Sequence, residues 1–372
     1  MERSPRSARV ASLDLLRGLV MVLMALDHSR AFMGALGDPM DLGAASPALY
    51  LTRWVTHFCA PTFVALAGLS AGLYAQRVGV ERASRFLISR GLWLIVLEIT
   101  WVNFFWKFGF SSISLLVIWA LGAAMVLLGL LARLHRHAPL ILGLAVVLGH
   151  NLLAGVQPAD LGSLAIPWGL GMAPHSFHIG PLAVGVSYPF LPWAGLMALG
   201  WAAAPWLVGA DGVRTRRALA LGAGLVAAFM VLRGLGLYGE PRPWGPQERG
   251  LLFTLLGTLD CTKYPPSLQY MLMTVGPALL LLPLLERLRG RAAQTLLVFG
   301  RVPLFFYLLH IPVLNLGTKL FRVLVHGWDG ALEPSLLRVY AGWALALVVL
   351  YPLCVGWGKL KAARSWWWLR YL

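Results

Sequence analysis

The sequence predicts an all-α integral membrane protein of about ten transmembrane helices, with both termini cytoplasmic. Three observations predict it. Hydrophobic residues make up 59% of the chain and charged residues only 12%, against about 25% charged in a soluble chain, so a water-soluble fold has too little polar surface to cover its apolar mass. The apolar residues fall in runs of about 20, the length that a helix rising about 1.5 Å per residue needs to cross a hydrocarbon core of roughly 30 Å. Basic residues collect in every second connection between the runs, as the positive-inside rule expects.

In chain order, the runs place spans near 13–34, 50–77, 84–106, 111–132 and 138–156, then 182–207, 215–238, 266–287, 294–322 and 336–358. The first run follows arginines as a signal peptide does. It is too long for a signal core and lacks a clear small-residue cleavage site, so it reads as an uncleaved span. Segment 157–181, with Trp168 and several glycines and prolines, reads as an outer loop or a short re-entrant piece. A β-barrel is not expected, because the runs are long and continuous rather than ten-residue alternations. Residues 1–372 form a single polytopic domain, closed by a tail, 362–372, in which Trp366, Trp367, Trp368 and Tyr371 accompany Arg364 and Arg370. Amphipathic rings favour the headgroup level, so the tail reads as an interfacial anchor.

The formal net charge of +16 is explained by lipid geometry rather than by nucleic acid. Arg3, Arg6 and Arg9 precede the first span, and Arg77, Arg82, Arg85 and Arg90 follow the second. Arg133 and Arg136, Arg214, Arg216 and Arg217, Arg287, Arg289 and Arg291, and Lys359 and Lys361 mark the later cytoplasmic connections. The alternate connections carry Asp38, Asp41, Asp160, Glu240 and Glu248 with Arg242 and Arg249, and Asp329 with Glu333, so their charge is mixed or acidic. An even number of spans and a multi-pass place in the cell (inner) membrane follow. Cys59, Cys261 and Cys354 show no CxxC spacing, so neither a disulfide framework nor a thiolate metal site is indicated, and no metal is expected.

Function is sought among polar residues inside the spans, where a central charge costs roughly 2.5–3.5 kcal/mol on insertion scales. In the first span, Asp14 and Arg17 stand three residues apart and can pair on one helix face. Arg17 and His28 are eleven residues apart, close to three helical turns, so they share a face about 16 Å long. Counted along their helices, Arg17 lies near the inner boundary, while His28, His57 and His310 share one outer depth. Asn103, Trp193 and the outer segment with Asp260, Lys263 and Tyr264 are candidates to line the same level. A buried histidine or asparagine also serves plain helix packing, through a contact of roughly 1 kcal/mol.

A histidine near its ordinary pKa of about 6.5 can take a proton from a hydroxyl or amine and return it to a leaving group, the chemistry acyl transfer needs. Arg17 and Arg301, each about two turns in from the cytoplasm, suit a phosphate. A donor anchored there needs a long flexible arm to reach His28, and acyl-CoA has one.

Five ordered blocks now carry a resemblance. They are Ser12 to Arg30, Arg53 to Phe63, Tyr188 to Trp193, Thr262 to Leu268, and Phe299 to His310. The chain resembles bacterial members of the heparan-alpha-glucosaminide N-acetyltransferase-like group within the transmembrane acyltransferase superfamily. The superfamily's acyltransferase-3 branch is similar in placing an arginine ten residues before a catalytic histidine, which Arg17 and His28 match. In the animal lysosomal members the position of His28 resembles an asparagine, so a catalytic His28 follows the acyltransferase-3 pattern. The resemblance implies an acyl-CoA donor, expected to be acetyl-CoA, and a sugar-like acceptor on the far side. In that reading His28 is general base or transient acyl carrier, and Asp27, His57 and His310 tune or orient it. Arg17 and Arg301 hold donor phosphates, and Asn103, Trp193, Asp260, Lys263 and Tyr264 contact the acceptor. The rival reading is a transporter of an anionic or acylated metabolite with the histidines as a proton relay; a homodimer is open in either.

Overall fold

The apolar runs fold as helices almost throughout, because in lipid each backbone N–H and C=O must be satisfied within its own segment. The computed structural model describes residues 11–207, 211–327 and 330–371. Arg3, Arg6, Arg9 and Asp329 of the charge pattern lie outside the described residues. Among the described residues, seven helices are long and apolar enough to cross a membrane: Pro47–Val78, Val80–Lys107, Val117–Leu134, Gly212–Leu235, Leu268–Arg287, Pro303–His326 and Leu336–Ala363. Ala138–Leu153 and Phe190–Ala203 are apolar but shorter. The first helix, Ala11–Met33, has 23 residues, enough for about 34 Å, but Asp14, Arg17, Asp27 and Arg30 lower its apolarity.

Four expected spans take a different form. The run at 294–322 is two helices, Gly290–Arg301 and Pro303–His326, broken at Val302 (φ −129°, ψ 49°). Pro303 has no N–H to continue the first helix and disfavours helical backbone at the residue before it. The run at 50–77 also breaks, into Pro47–Thr56 and Cys59–Val78. The run at 182–207 begins as a strand and turns helical only at Phe190. That strand, Leu182–Val186, pairs antiparallel with His175–Ile179 and parallel with Ser112–Leu115, the start of the span expected at 111–132. The mostly helical chain therefore carries a small three-stranded sheet, with Ile113, Leu115, Val184 and Val186 as its apolar core. The segment expected to be a loop or re-entrant piece supplies a helix, Ala165–Gly171, and a strand of this sheet.

The chain divides into two units, Met1–Leu36 with Ala278–Leu372, and Gly37–Pro277. In the first unit, Ala11–Met33 packs closely on Gly290–Arg301 because two glycines sit at the crossing. A Cβ on Gly300 would collide with the carbonyl oxygen of Asp14, and one on Gly18 with that of Leu296. Small residues are what allow membrane helices to approach so closely. Gly300→Val should therefore lower stability by about 1–3 kcal/mol, read as a lower thermal midpoint of the purified protein in detergent. Gly224→Val, where an added Cβ meets nothing within 4 Å, should leave the midpoint nearly unchanged.

Side-chain hydrogen bonds complete the first unit. Ser29 donates to the carbonyl of Val339 at 2.7 Å, Trp343 to that of Val22 at 2.8 Å, and Arg338 to that of Met33 at 2.7 Å. In the second unit, Gly68 and Gly200 play the crossing role between Cys59–Val78 and Phe190–Ala203. The C-terminal tail ends in a short turn, Trp367–Arg370, with Trp366 and Trp367 exposed.

Candidate functional site

The first unit brings together two of the histidines that share a depth in the sequence. Ala11–Met33 carries His28 and Pro303–His326 carries His310. His28 Nδ1 lies 2.6 Å from His310 Nε2, with the rings 16° from parallel. His310 is fully buried and His28 half-buried. His310 Nδ1 turns back onto its own helix, 2.5 Å from the Tyr307 carbonyl oxygen and 3.3 Å from that of Phe306.

These contacts fix the protons. A carbonyl oxygen only accepts, so His310 Nδ1 must carry a hydrogen and donate it. In the neutral ring, His310 Nε2 is then an acceptor and His28 Nδ1 must donate to it. The lone pair of neutral His28 consequently sits on Nε2, away from His310. A backbone carbonyl thus sets the tautomer of a half-buried imidazole through a second imidazole, the orienting role a carboxylate plays in a catalytic triad.

The other candidates in this unit form two ion pairs on the first helix. Arg17 donates to Asp14 at 2.8 Å, with the Asp14 carboxylate almost wholly buried, and Arg30 donates to Asp27 at 3.0 Å. Ser12 donates to Glu286 at 3.1 Å. Arg301 is exposed at the end of its helix. Since Gly18 and Gly300 form the crossing, Arg17 and Arg301 are the residues next to it on either helix.

The second unit holds the remaining candidates. His57 is buried where Pro47–Thr56 ends; Tyr270 donates to its carbonyl at 2.9 Å and meets its ring edge-on at 5.4 Å. Asn103 is committed to backbone. Its Nδ2 donates to the carbonyls of Glu98 and Ser114 at 2.7 and 2.9 Å, and its Oδ1 accepts from the Ser114 N–H at 2.7 Å. It ties a π-turn, Glu98–Val102, to the strand Ser112–Leu115, so we assign it to architecture rather than to an acceptor. Glu98, fully buried, accepts from the Trp119 N–H at 2.9 Å at the start of Val117–Leu134, where a helix favours negative charge.

Lys263, Tyr264 and Trp193 belong to one cluster around Tyr188. The Lys263 ammonium lies 5.8 Å from the Tyr188 ring centre and 5.3 Å from that of Tyr264, and the two hydroxyls are 3.3 Å apart. Trp193 is fully buried against Tyr188 at 5.7 Å, and its indole N–H finds no acceptor among the described residues. Burial and the Tyr264 hydroxyl raise the Tyr188 phenol well above its ordinary pKa. Asp260 is ion-paired with Arg242 at 3.0 Å; burial raises its carboxyl, and Arg242 offsets this.

Two residues that hold this loop escaped the sequence reading. Arg233, 4% exposed, donates to the carbonyls of Gly257, Thr258, Asp260 and Arg242. Glu240 accepts from the Thr262 N–H and from the hydroxyls of Thr262 and Ser267 at 2.5–2.8 Å. Arg233 had one signal, an arginine inside an apolar run. Glu240 had none beyond its place in an acidic connection.

Seven membrane-length helices among the described residues define a multi-pass membrane protein, and His28 and His310 form a close pair in it. The family model described as heparan-alpha-glucosaminide N-acetyltransferase, catalytic, matches residues 9–238, well over half of the chain. The chain belongs to this family of membrane acetyltransferases. The matched region contains Arg17, His28, His57 and Trp193, while His310, Arg301 and Lys263 lie beyond it. A search of curated proteins returned no match.

Proposed function

We propose that the protein transfers an acyl group, acetyl in the first instance, from cytoplasmic acyl-CoA to a hydroxyl or amine of a sugar-like acceptor at the outer side of the membrane. The observation that carries this reading is the proton order at His28. His28 Nε2 takes the proton of the acceptor hydroxyl or amine as its oxygen or nitrogen attacks the thioester carbonyl. The tetrahedral intermediate collapses with cleavage of the C–S bond, and His28 gives the proton to the departing CoA thiolate. His310 is a positioning residue. It holds the His28 ring and shares the positive charge that forms there.

Arg301 is the accessible cation for the donor's phosphates. Arg17 is ion-paired with Asp14 at 2.8 Å and contributes geometry as well as charge. On the first helix the rise between Arg17 and His28 is about 16 Å, the span that the pantetheine arm must cover. The proposal includes the topology on which it depends: about ten crossings, with Ala11–Met33, the two shorter apolar helices and the seven long ones as spans, and basic connections in the cytoplasm of a cell whose inner membrane holds the chain.

Purified protein incubated with an amino sugar or sugar as acceptor and with acetyl-CoA labelled in the acetyl group tests the reading. The expected result is free CoA thiol appearing with labelled amino-sugar or sugar ester. Label moving across a vesicle membrane with the thioester intact would instead identify a transporter.

A further inference from the structure

The second unit contains a cavity of about 780 Å³ that the transferase reading leaves unused. Val146, Leu153, Leu161, Trp168, Phe190 and Leu191 are among its walls, and nearly all of its surface is apolar. It is a groove open on one side. Leu152, Leu153 and Leu164, three of its lining residues, are themselves exposed, at 76%, 44% and 61%. An opening bordered by leucines admits hydrocarbon from a bilayer and repels a solute arriving from water. The volume falls within the range of about 300–1,000 Å³ typical of small-molecule sites.

A polar cluster is joined to the wall through its neighbours in the chain. Phe190 and Leu191 of the wall follow Tyr188 by two and three residues, and His150 of the wall reaches the Pro266 carbonyl at 2.9 Å, two residues past Tyr264. Beside those tyrosine rings lies Lys263, 8% exposed, and among the described residues no carboxylate pairs with its ammonium. A cation so far removed from water is costly without a counter-charge. Aromatic faces supply part of the compensation. Arg53 adds further positive potential at Tyr188.

We propose that this groove binds a membrane lipid with an anionic headgroup, the hydrocarbon chain lying along the apolar wall and the headgroup meeting Lys263 and the tyrosine hydroxyls. The lipid comes from the bilayer. The site does not depend on acyl transfer, and its test does not use activity.

The full chain in nanodiscs of phosphatidylcholine is exposed to a photoactivatable phosphatidate, or to a phosphatidylcholine with the same diazirine-bearing chain, and labelled peptides are mapped. The phosphatidate should label residues 145–172 and 190–191 at least fivefold more than the neutral probe. Gly171 lines the groove, and an added Cβ there meets nothing within 4 Å, so Gly171→Leu fills the space and should cut that labelling at least fivefold. Lys263→Gln should bring the two probes close to parity while retaining chain labelling. Leu153→Trp narrows the groove at a second lining residue and should act as Gly171→Leu does, so the test does not hang on the folding of one variant. Labelling unchanged by both groove-filling substitutions, or equal for the two probes in the unsubstituted protein, overturns the proposal.

Discussion

His28→Ala is expected to lower acyl transfer by about 10²–10⁴-fold, the contribution of a positioned general base, while leaving the protein folded. The fold should survive because His28 is half-buried and the close crossing of its helix is made elsewhere, at Gly18 and Gly300. The loss should fall on kcat, since the proton is taken only as the acceptor attacks. His28→Gln should be nearly as inactive, because an amide has no nitrogen lone pair for the incoming proton. Steady-state thiol release under saturating donor measures this directly. A variant transferring at the unsubstituted rate would remove His28 from the chemistry.

His310→Ala should lower kcat by roughly 10–100-fold, the scale seen when the partner that orients a metal-bound histidine is lost. KM for both substrates should stay within about twofold, since His310 is buried behind His28. Its removal leaves His28 Nδ1 without the acceptor at 2.6 Å, so the ring is no longer held in the tautomer with its lone pair on Nε2. His310→Gln separates positioning from packing. Its side-chain oxygen can accept from His28 Nδ1, so it should recover much of the activity, whereas His310→Leu, similar in bulk and apolar, should not. Equal activity of the Gln and Leu variants would reduce His310 to a packing residue.

The legible parts of this molecule are those written in local spacing. Arg17 and His28 share a face because eleven residues make about three turns, and the Asp14–Arg17 pair follows from a three-residue step. The depth count that aligns His28 with His310 gives a level, and only the fold could convert it into a 2.6 Å contact. The Val302 break was foreshadowed by Pro303, but a run of apolar residues on both sides of it conceals the interruption. Leu182–Val186 is continuous with the helix that follows in hydropathy, and short apolar runs read equally as strand or helix. Its parallel partner, Ser112–Leu115, lies about seventy residues away, beyond any local pattern. Asn103 shows the same limit from the polar side. An intramembrane amide is a reasonable ligand until the backbone groups that claim it, in a π-turn and a strand edge, are in view. Arg233 and Glu240 are the converse, ionic groups in ordinary-looking connections whose partners are carbonyls and hydroxyls gathered by the fold.

The most direct test of the account is the position of the protons on two rings. In protein labelled with ¹⁵N-histidine and reconstituted in bilayers at mildly alkaline pH, His28→Ala and His310→Ala samples assign the two residues' nitrogen signals. The account predicts His28 protonated on Nδ1 and bare on Nε2, with His310 Nε2 accepting across the contact. A His28 ring protonated on Nε2 and bare on Nδ1 would contradict it, since that nitrogen then has no lone pair with which to take the acceptor's proton.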